Sequence, residues 1–242
     1  MNRVPHILLL YWVIKIASTT LGETGADMFS MTYDMGYAAT IVLFMGLFAF
    51  FLIIKLRLKR YEPISYWLTF TATAIAGTAI SDYIDRTLGL GYAWGSVLLV
   101  SLLLITLWAW YKHDKHINVE NITNTPSEIY YWVAFLIANT LGTAAGDLLA
   151  DDLGFGFAQS AVMISGVLIL LALLHFYTKI SKTLLFWLAF VLTRPFGATF
   201  GDLLTKTHDH GGLDLGTVGS SLFFGVILVL AVIKEVKIEK TR

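Results

Sequence analysis

The sequence predicts an all-α integral membrane protein of eight transmembrane helices, laid out as four parallel tandem helical hairpins with pseudo-symmetry about the membrane normal. An apolar composition, a set of helix-length apolar runs and one motif repeated four times predict it. Of the 242 residues 57% are apolar and 14% charged, whereas an average soluble domain carries about 25% charged residues. Several apolar runs reach about 20 residues, the length a helix needs to cross a hydrocarbon core of about 30 Å.

The repeat is read from spacing. Trp12, Trp67, Trp132 and Trp187 stand 55, 65 and 55 residues apart, and each opens an apolar segment. Ten residues after each comes a glycine (Gly22, Gly77, Gly142, Gly197), and fifteen after comes an aspartate (Asp27, Asp82, Asp147, Asp202). The register W-x9-G-x4-D thus occurs four times without a gap, and a small residue (Ala26, Ser81, Gly146, Gly201) precedes every aspartate. A short polar link and a second glycine follow, at Gly36, Gly91, Gly156 and Gly216, and there a second apolar run begins.

Taken in order, the first span, 6–27, contains Lys15 and lacks a small-residue cleavage site, so it reads as a retained helix and not a signal peptide. The second, 37–56, ends at the basic run Lys55, Arg57, Lys59 and Arg60. The third and fourth, 66–84 and 92–111, repeat that pattern. A polar connection from Lys112 to Glu128, with Asn118, Asn121, Asn124 and Pro126, then divides the chain into halves 1–115 and 126–242. The fifth and sixth are 130–149 and 157–177. The seventh, 184–204, contains Arg194-Pro195, where the missing amide favours a kinked or broken helix. The eighth, 217–236, is delayed by the segment around His208-Asp209-His210, whose H-x-H reads as a solvated loop. Residues 1–242 form one membrane domain with repeats 6–57, 61–112, 126–177 and 181–237.

Orientation follows from lysine and arginine. The inter-repeat links and chain ends hold Arg3, Lys55, Arg57, Lys59, Arg60, Lys112, Lys115, Lys179, Lys182, Lys234, Lys237, Lys240 and Arg242, which predicts both termini to be cytoplasmic. The intra-repeat links hold Arg86 and Lys206 against a larger number of aspartates, so the opposite face is acidic. An even number of spans per repeat makes the copies parallel, related by an axis along the membrane normal. The small pairs Gly22/Ala26, Gly77/Ser81, Gly142/Gly146 and Gly197/Gly201 give each odd helix a close-packing stripe.

Candidate site residues lie on those odd helices. If Tyr11-Trp12, Tyr66-Trp67, Tyr131-Trp132 and Phe186-Trp187 form an inner aromatic belt, the aspartates, about 22 Å further along the axis, sit near the outer boundary. They also end their helices, where the backbone dipole repels a carboxylate. Something positive is expected beside them: a bound cation, a proton or an arginine. Simple solvation or turn capping is the alternative. Deeper lie Thr19, Asn139 and Arg194, seven positions after their tryptophans, and Glu23, Thr78 and Thr143, eleven after. A charge inside the bilayer costs at least ~2.5–3.5 kcal/mol, so Glu23 and Arg194 face protein or water, either as a structural pair or as parts of a transport path. Lys15, close to Trp12, is expected to snorkel back to the inner surface. Thr40, Ser96, Ser160, Ser220 and Ser221 on the even helices are placed either to face the aspartates across each hairpin or simply to pack the helices together.

Four tandem two-span repeats, each with a tryptophan and G-x4-D, resemble a bacterial membrane-protein family described as repeats of unknown function. The resemblance implies the span count and a bacterial cytoplasmic membrane, and says nothing of substrate. The expected function is a secondary transporter or permeation protein for a cation, with a divalent metal foremost because carboxylates, hydroxyls and carbonyls suit hard cations. Its expected binding residues are Glu23, Asp27, Asp82, Asn139, Thr143, Asp147, Arg194 and Asp202, with Glu23 and the four aspartates as metal ligands. The alternatives are a transporter or receptor for an organic or anionic solute using Arg194, and a non-transporting scaffold. No enzyme is expected, because no nucleophile, triad or phosphate loop occurs. No cofactor is expected beyond a bound divalent cation, and with zero cysteines thiol chemistry is excluded. The expected partners are the lipid bilayer and a small cation or solute, without nucleic acid; a homo-oligomer is compatible with the pattern.

Overall fold

A computed structural model describes residues 2–117, 119 and 121–241, without the side chains of Lys182, Thr183 and Trp187. Asn118, Arg242 and the side chains of Lys182 and Trp187, used in the sequence reading, lie outside the described residues. The described chain holds eight α-helices and no strand: α1 (Leu9–Asp27), α2 (Gly36–Leu58), α3 (Pro63–Asp82), α4 (Tyr92–Asp114), α5 (Thr125–Asp147), α6 (Gly156–Tyr177), α7 (Lys182–Thr205) and α8 (Thr217–Lys240). The inter-repeat turns supply helix starts. Glu62 accepts hydrogen bonds from the amides of Ile64 and Ser65, with Pro63 in the first turn of α3, and Asn124 caps α5 ahead of Pro126.

Among the described residues, six helical segments are long and apolar enough to cross a membrane: α2, α4, α5 with the turn after it, α6, the Leu184–Thr205 part of α7, and α8. α1 and α3 fall short in apolar content, for a reason the packing makes plain. Their Ser, Thr and charged side chains, among them Lys15, Thr19, Thr20, Glu23, Thr73 and Thr78, are turned inward and buried. The lipid-length apolar surface belongs mainly to the even helices, through side chains such as Val42, Phe50, Leu104, Trp108, Phe176 and Leu222.

The odd helices form a closed inner ring, α1 against α3, α3 against α5, α5 against α7 and α7 against α1. Each even helix packs chiefly on the inner helix of the following repeat: α2 on α3, α4 on α5, α6 on α7, and α8 back on α1. The expected hairpins therefore need a correction. The two helices of one repeat are joined by a short link, but the packed pair straddles two repeats, and the last repeat closes onto the first.

The repeat glycines explain the ring. A Cβ at Gly22 would lie 2.7 Å from the Cβ of Ala74, one at Gly77 3.0 Å from that of Asn139, one at Gly142 2.6 Å from that of Arg194, and one at Gly197 2.8 Å from that of Thr19. Ala74, Asn139, Arg194 and Thr19 are the residues seven positions after the tryptophan in the next helix round. One contact type thus occurs four times and closes on itself, the small-residue approach that replaces hydrophobic drive in lipid. Gly36, Gly91, Gly156 and Gly216 share a different requirement: each has φ between +70° and +75°, and its neighbour two residues back is also left-handed (Asp34 +54°, Gly89 +71°, Gly154 +73°, Asp214 +54°).

The aromatic rows differ from expectation. Tyr11, Tyr66, Trp67, Tyr131 and Trp132 are buried in the ring, not spread as a belt toward lipid. The hydroxyls of Tyr66 and Tyr131 bond at 2.6 Å, and Phe135 stacks on Phe190 at 4.9 Å between centroids. These residues seal the tryptophan end of the axis. Across that end lies the segment before α1. The Arg3 amide donates to the Ile122 carbonyl, the Tyr61 amide donates to the Asn2 carbonyl, and Glu128 takes ion pairs from Arg3 at 2.7 Å and Lys55 at 3.2 Å. All three ionic side chains are buried, so Glu128→Gln leaves two cations uncompensated and is expected to cost about 3 kcal/mol. A lowered thermal midpoint in detergent, partly restored by adding Lys55→Met, checks this.

Candidate functional site: a buried ionic axis

Residues four apart on a helix share a face and differ in height by about 6 Å. The inner helices therefore stack their equivalent residues in tiers around the axis. The lowest tier is aromatic except for Lys15, whose Nζ donates to the Phe190 carbonyl and to Thr193 Oγ1 and lies 3.4 Å from the Phe190 ring centroid. Lys15 is buried, so the snorkelling expectation is corrected: its ammonium is held by α7 inside the ring and does not return to a surface. One tier up, Asn139 donates to Thr73 Oγ1 at 3.0 Å, and Thr19 contacts the Thr193 carbonyl at 3.4 Å.

The central tier is the most connected. Glu23 Oε2 accepts from Thr78 at 3.1 Å, from Thr143 at 3.2 Å and from Arg194 Nη1 at 3.4 Å. Arg194 also donates to the carbonyls of Thr19 and Ala74, to Thr143 Oγ1 at 2.8 Å and to Thr78 Oγ1. Side chains from all four repeats meet here, and Glu23 and Arg194 are each 3% exposed. The structure thus brings together Glu23, Thr143 and Arg194 as one cluster. Of the kinked or broken helix expected at Pro195, the break is absent: α7 runs through it, with Thr199 Oγ1 donating to the Pro195 carbonyl.

The aspartates form the upper tier. Asp27, Asp82, Asp147 and Asp202 are all at most 2% exposed, and none caps a turn, which removes the solvated-end reading. α1, α3 and α5 end at their aspartates and continue as single π-helical turns, Met28–Thr32, Tyr83–Thr87 and Leu148–Asp152. Such widened turns occur frequently at functional sites. The fourth repeat lacks one; α7 runs three residues past Asp202 and then forms a 3-10 turn over His208–His210.

The positive partners are the chain's own. Arg86 Nε lies 3.3 Å from Asp82 Oδ1 and its Nη2 3.3 Å from Asp147 Oδ2. Lys206 Nζ lies 2.6 Å from Asp27 Oδ2 and 3.1 Å from Asp202 Oδ1. Each cation therefore spans two neighbouring repeats. The two pairs are also within electrostatic reach of each other: Asp82 senses Asp27, and Asp147 senses both Asp202 and Asp82. Burial opposes the charge on Lys206, yet Asp202 and Asp27 outweigh it and hold its pKa well above the usual lysine value.

Arg86 and Lys206 were read from sequence only as link charges. The signal that finds them is the i,i+4 spacing D-x3-R and D-x3-K in repeats two and four, where repeats one and three have Met31 and Asp151. The even-helix hydroxyls do not reach the aspartates. Thr40 donates to the Gly36 carbonyl, Ser221 to Thr24 Oγ1 at 2.9 Å, and Ser96, Ser160 and Ser220 have buried hydroxyls without a partner. In the H-x-H loop, His208 bonds the Gly212 carbonyl and His210 bonds Thr207. Among the described residues, no three His, Asp or Glu side chains stand grouped as a metal site.

Long apolar helices around a buried ionic axis, built four times over from one motif, define a helical membrane protein of tandem repeats. The chain belongs to the family Repeat of Unknown Function (DUF347), whose model matches residues 10–61, 65–116, 130–181 and 185–241. Each match begins two residues before its repeat's tryptophan. No curated protein and no solved structure matches the chain.

Proposed function

We propose that this protein is a secondary transporter or permeation protein for a small cation, loaded at the aspartate tier and passed along the axis of the inner ring. In this reading all eight helices span a bacterial cytoplasmic membrane, with pseudo-symmetry about its normal, both termini cytoplasmic and the aspartates outward. α1 and α3 cross it shielded by the even helices. The observation that carries the reading is a charge mismatch: four buried aspartates face two partly exposed cations, leaving two carboxylates without a counter-charge. Unpaired buried charge is costly, and protons or a metal cation relieve it. Glu23 extends the acidic surface one tier inward.

The axis is polar from the aspartates to Lys15 and then closed by aromatic rings, an arrangement suited to a path that opens only by rearrangement. The Arg194 reading for an anionic solute is less favoured, because that guanidinium is already engaged by Glu23, two threonines and two carbonyls. In proteoliposomes, Asp27→Asn and Asp147→Asn are each expected to cut cation flux at least about tenfold, since each removes a carboxylate of the tier the ion crosses. Unchanged flux in both variants removes the carboxylates from the mechanism. A lost fold in both, with no cation ever shifting thermal stability, leaves a scaffold.

A further inference from the structure

The two halves of the aspartate tier are not equivalent. Arg86 is anchored on four sides: by Asp82, by Asp147, by the Tyr92 hydroxyl at 3.0 Å and by the Tyr37 hydroxyl at 3.5 Å. A planar guanidinium in such a cage is preorganised and permanently charged. Lys206 has only its two aspartates as polar side-chain partners and stands on a flexible four-carbon stem; exposure does not separate the two cations, being 20% for Lys206 and 30% for Arg86. Of the tier's four aspartates, those of the lysine half alone bury an oxygen that no hydrogen bond satisfies: Asp27 Oδ1 has no partner, and Asp202 Oδ1 has only its ion-pair contact with the Lys206 ammonium. Asp27 and Asp202 are 98% and 99% buried, yet one ammonium neutralises only one of them.

Resting on the transport reading above, we infer that Asp27 and Asp202 form the exchangeable half-site, that it takes a small hard divalent cation, and that Lys206 is a tethered competitor which vacates it on loading. The Asp82–Arg86–Asp147 half is a fixed brace. A divalent ion matches the charge of the two carboxylates where the ammonium leaves one over; it gives the partnerless Asp27 Oδ1 a ligand and takes the place of the ammonium on Asp202 Oδ1. When the ion leaves, the ammonium returns and keeps the empty site from standing as a bare pair of buried anions. Lys206 lies at the end of α7 beside the His208–His210 turn, in the repeat that lacks the π-helical turn, so its displacement disturbs no element of the ring.

Mn2+ binding to the purified full chain in detergent, followed by electron paramagnetic resonance titration, tests this. Lys206→Met is expected to tighten Mn2+ binding about tenfold, by removing the competitor. Lys206→Arg is expected to weaken it about tenfold, because a fork fits both carboxylates and leaves less readily; this variant carries the test if Lys206→Met does not fold. Asp27→Asn and Asp202→Asn are expected to weaken it by about a hundredfold, and Asp82→Asn and Asp147→Asn by less than about threefold. Equal effects in the two halves, an affinity indifferent to residue 206, or no Mn2+ bound by wild type and Lys206→Met overturns the inference. Carboxylate-dependent flux of another cation in the same preparation leaves the transport reading standing while the inference falls; absence of any such flux removes both.

Discussion

Arg194→Met is expected to cost about 3–5 kcal/mol of stability. The substitution removes the donor that serves Glu23, Thr78, Thr143 and the carbonyls of Thr19 and Ala74, and it leaves a buried carboxylate without its cation. Thermal unfolding in detergent, with Glu23→Gln as the second arm, measures it. Glu23→Gln/Arg194→Met is expected to recover more than half of the loss, because a neutral amide still bonds Thr78 and Thr143 without stranding a charge. Full additivity of the two single losses would show that the residues do not act as a pair. Such a lock at the mid-height of the axis also predicts that the double variant folds yet leaks ions, a separate reading from the same preparation.

Gly142→Val is expected to abolish or severely impair assembly of the ring. A Cβ at Gly142 would fall 2.1 Å from Arg194 Cγ, and its neighbours there include the Arg194 backbone carbonyl carbon at 3.2 Å, so α5 and α7 must move apart. Overpacking of this kind costs about 1–3 kcal/mol or more, and here it also displaces the central guanidinium. Gly166→Val is the matched control on α6, because nothing lies within 4 Å of the added Cβ. The fraction of monodisperse protein after extraction and its thermal midpoint distinguish the two. Equal tolerance at both positions would mean that the repeat glycine is not a contact point. The same contrast applies at Gly22, Gly77 and Gly197, whose Cβ positions meet Ala74, Asn139 and Thr19.

Much of the fold was legible because a four-fold motif is a statement about packing. The tryptophan, glycine and aspartate registers marked four equivalent helices, and all four proved to line one ring. The site residues were legible for a related reason: Glu23, Asn139 and Arg194 are polar groups in the middle of apolar runs, where only a protein interior accommodates them. Lys15 belongs to the same class, and was misread because proximity to Trp12 made the surface look reachable. Its ammonium is instead fixed by the Phe190 carbonyl and Thr193, contacts that depend on α7 lying beside α1. Arg86 and Lys206 escaped for the opposite reason. They stand in polar links, where a charge demands no partner, and only the ring turns two link cations onto four aspartates.

The sequence by itself determined the helical class, the four-fold register, the close-packing glycines and the height of each polar tier, because a helix fixes which residues share a face and how far along the axis they lie. Only the tertiary structure decided that even helices lean on the next repeat, that α8 closes onto α1, that Glu23 meets Arg194 across the axis, and that the four aspartates divide into an arginine half and a lysine half. Those are relations between helices, and helix periodicity carries no information about which neighbour a face will meet.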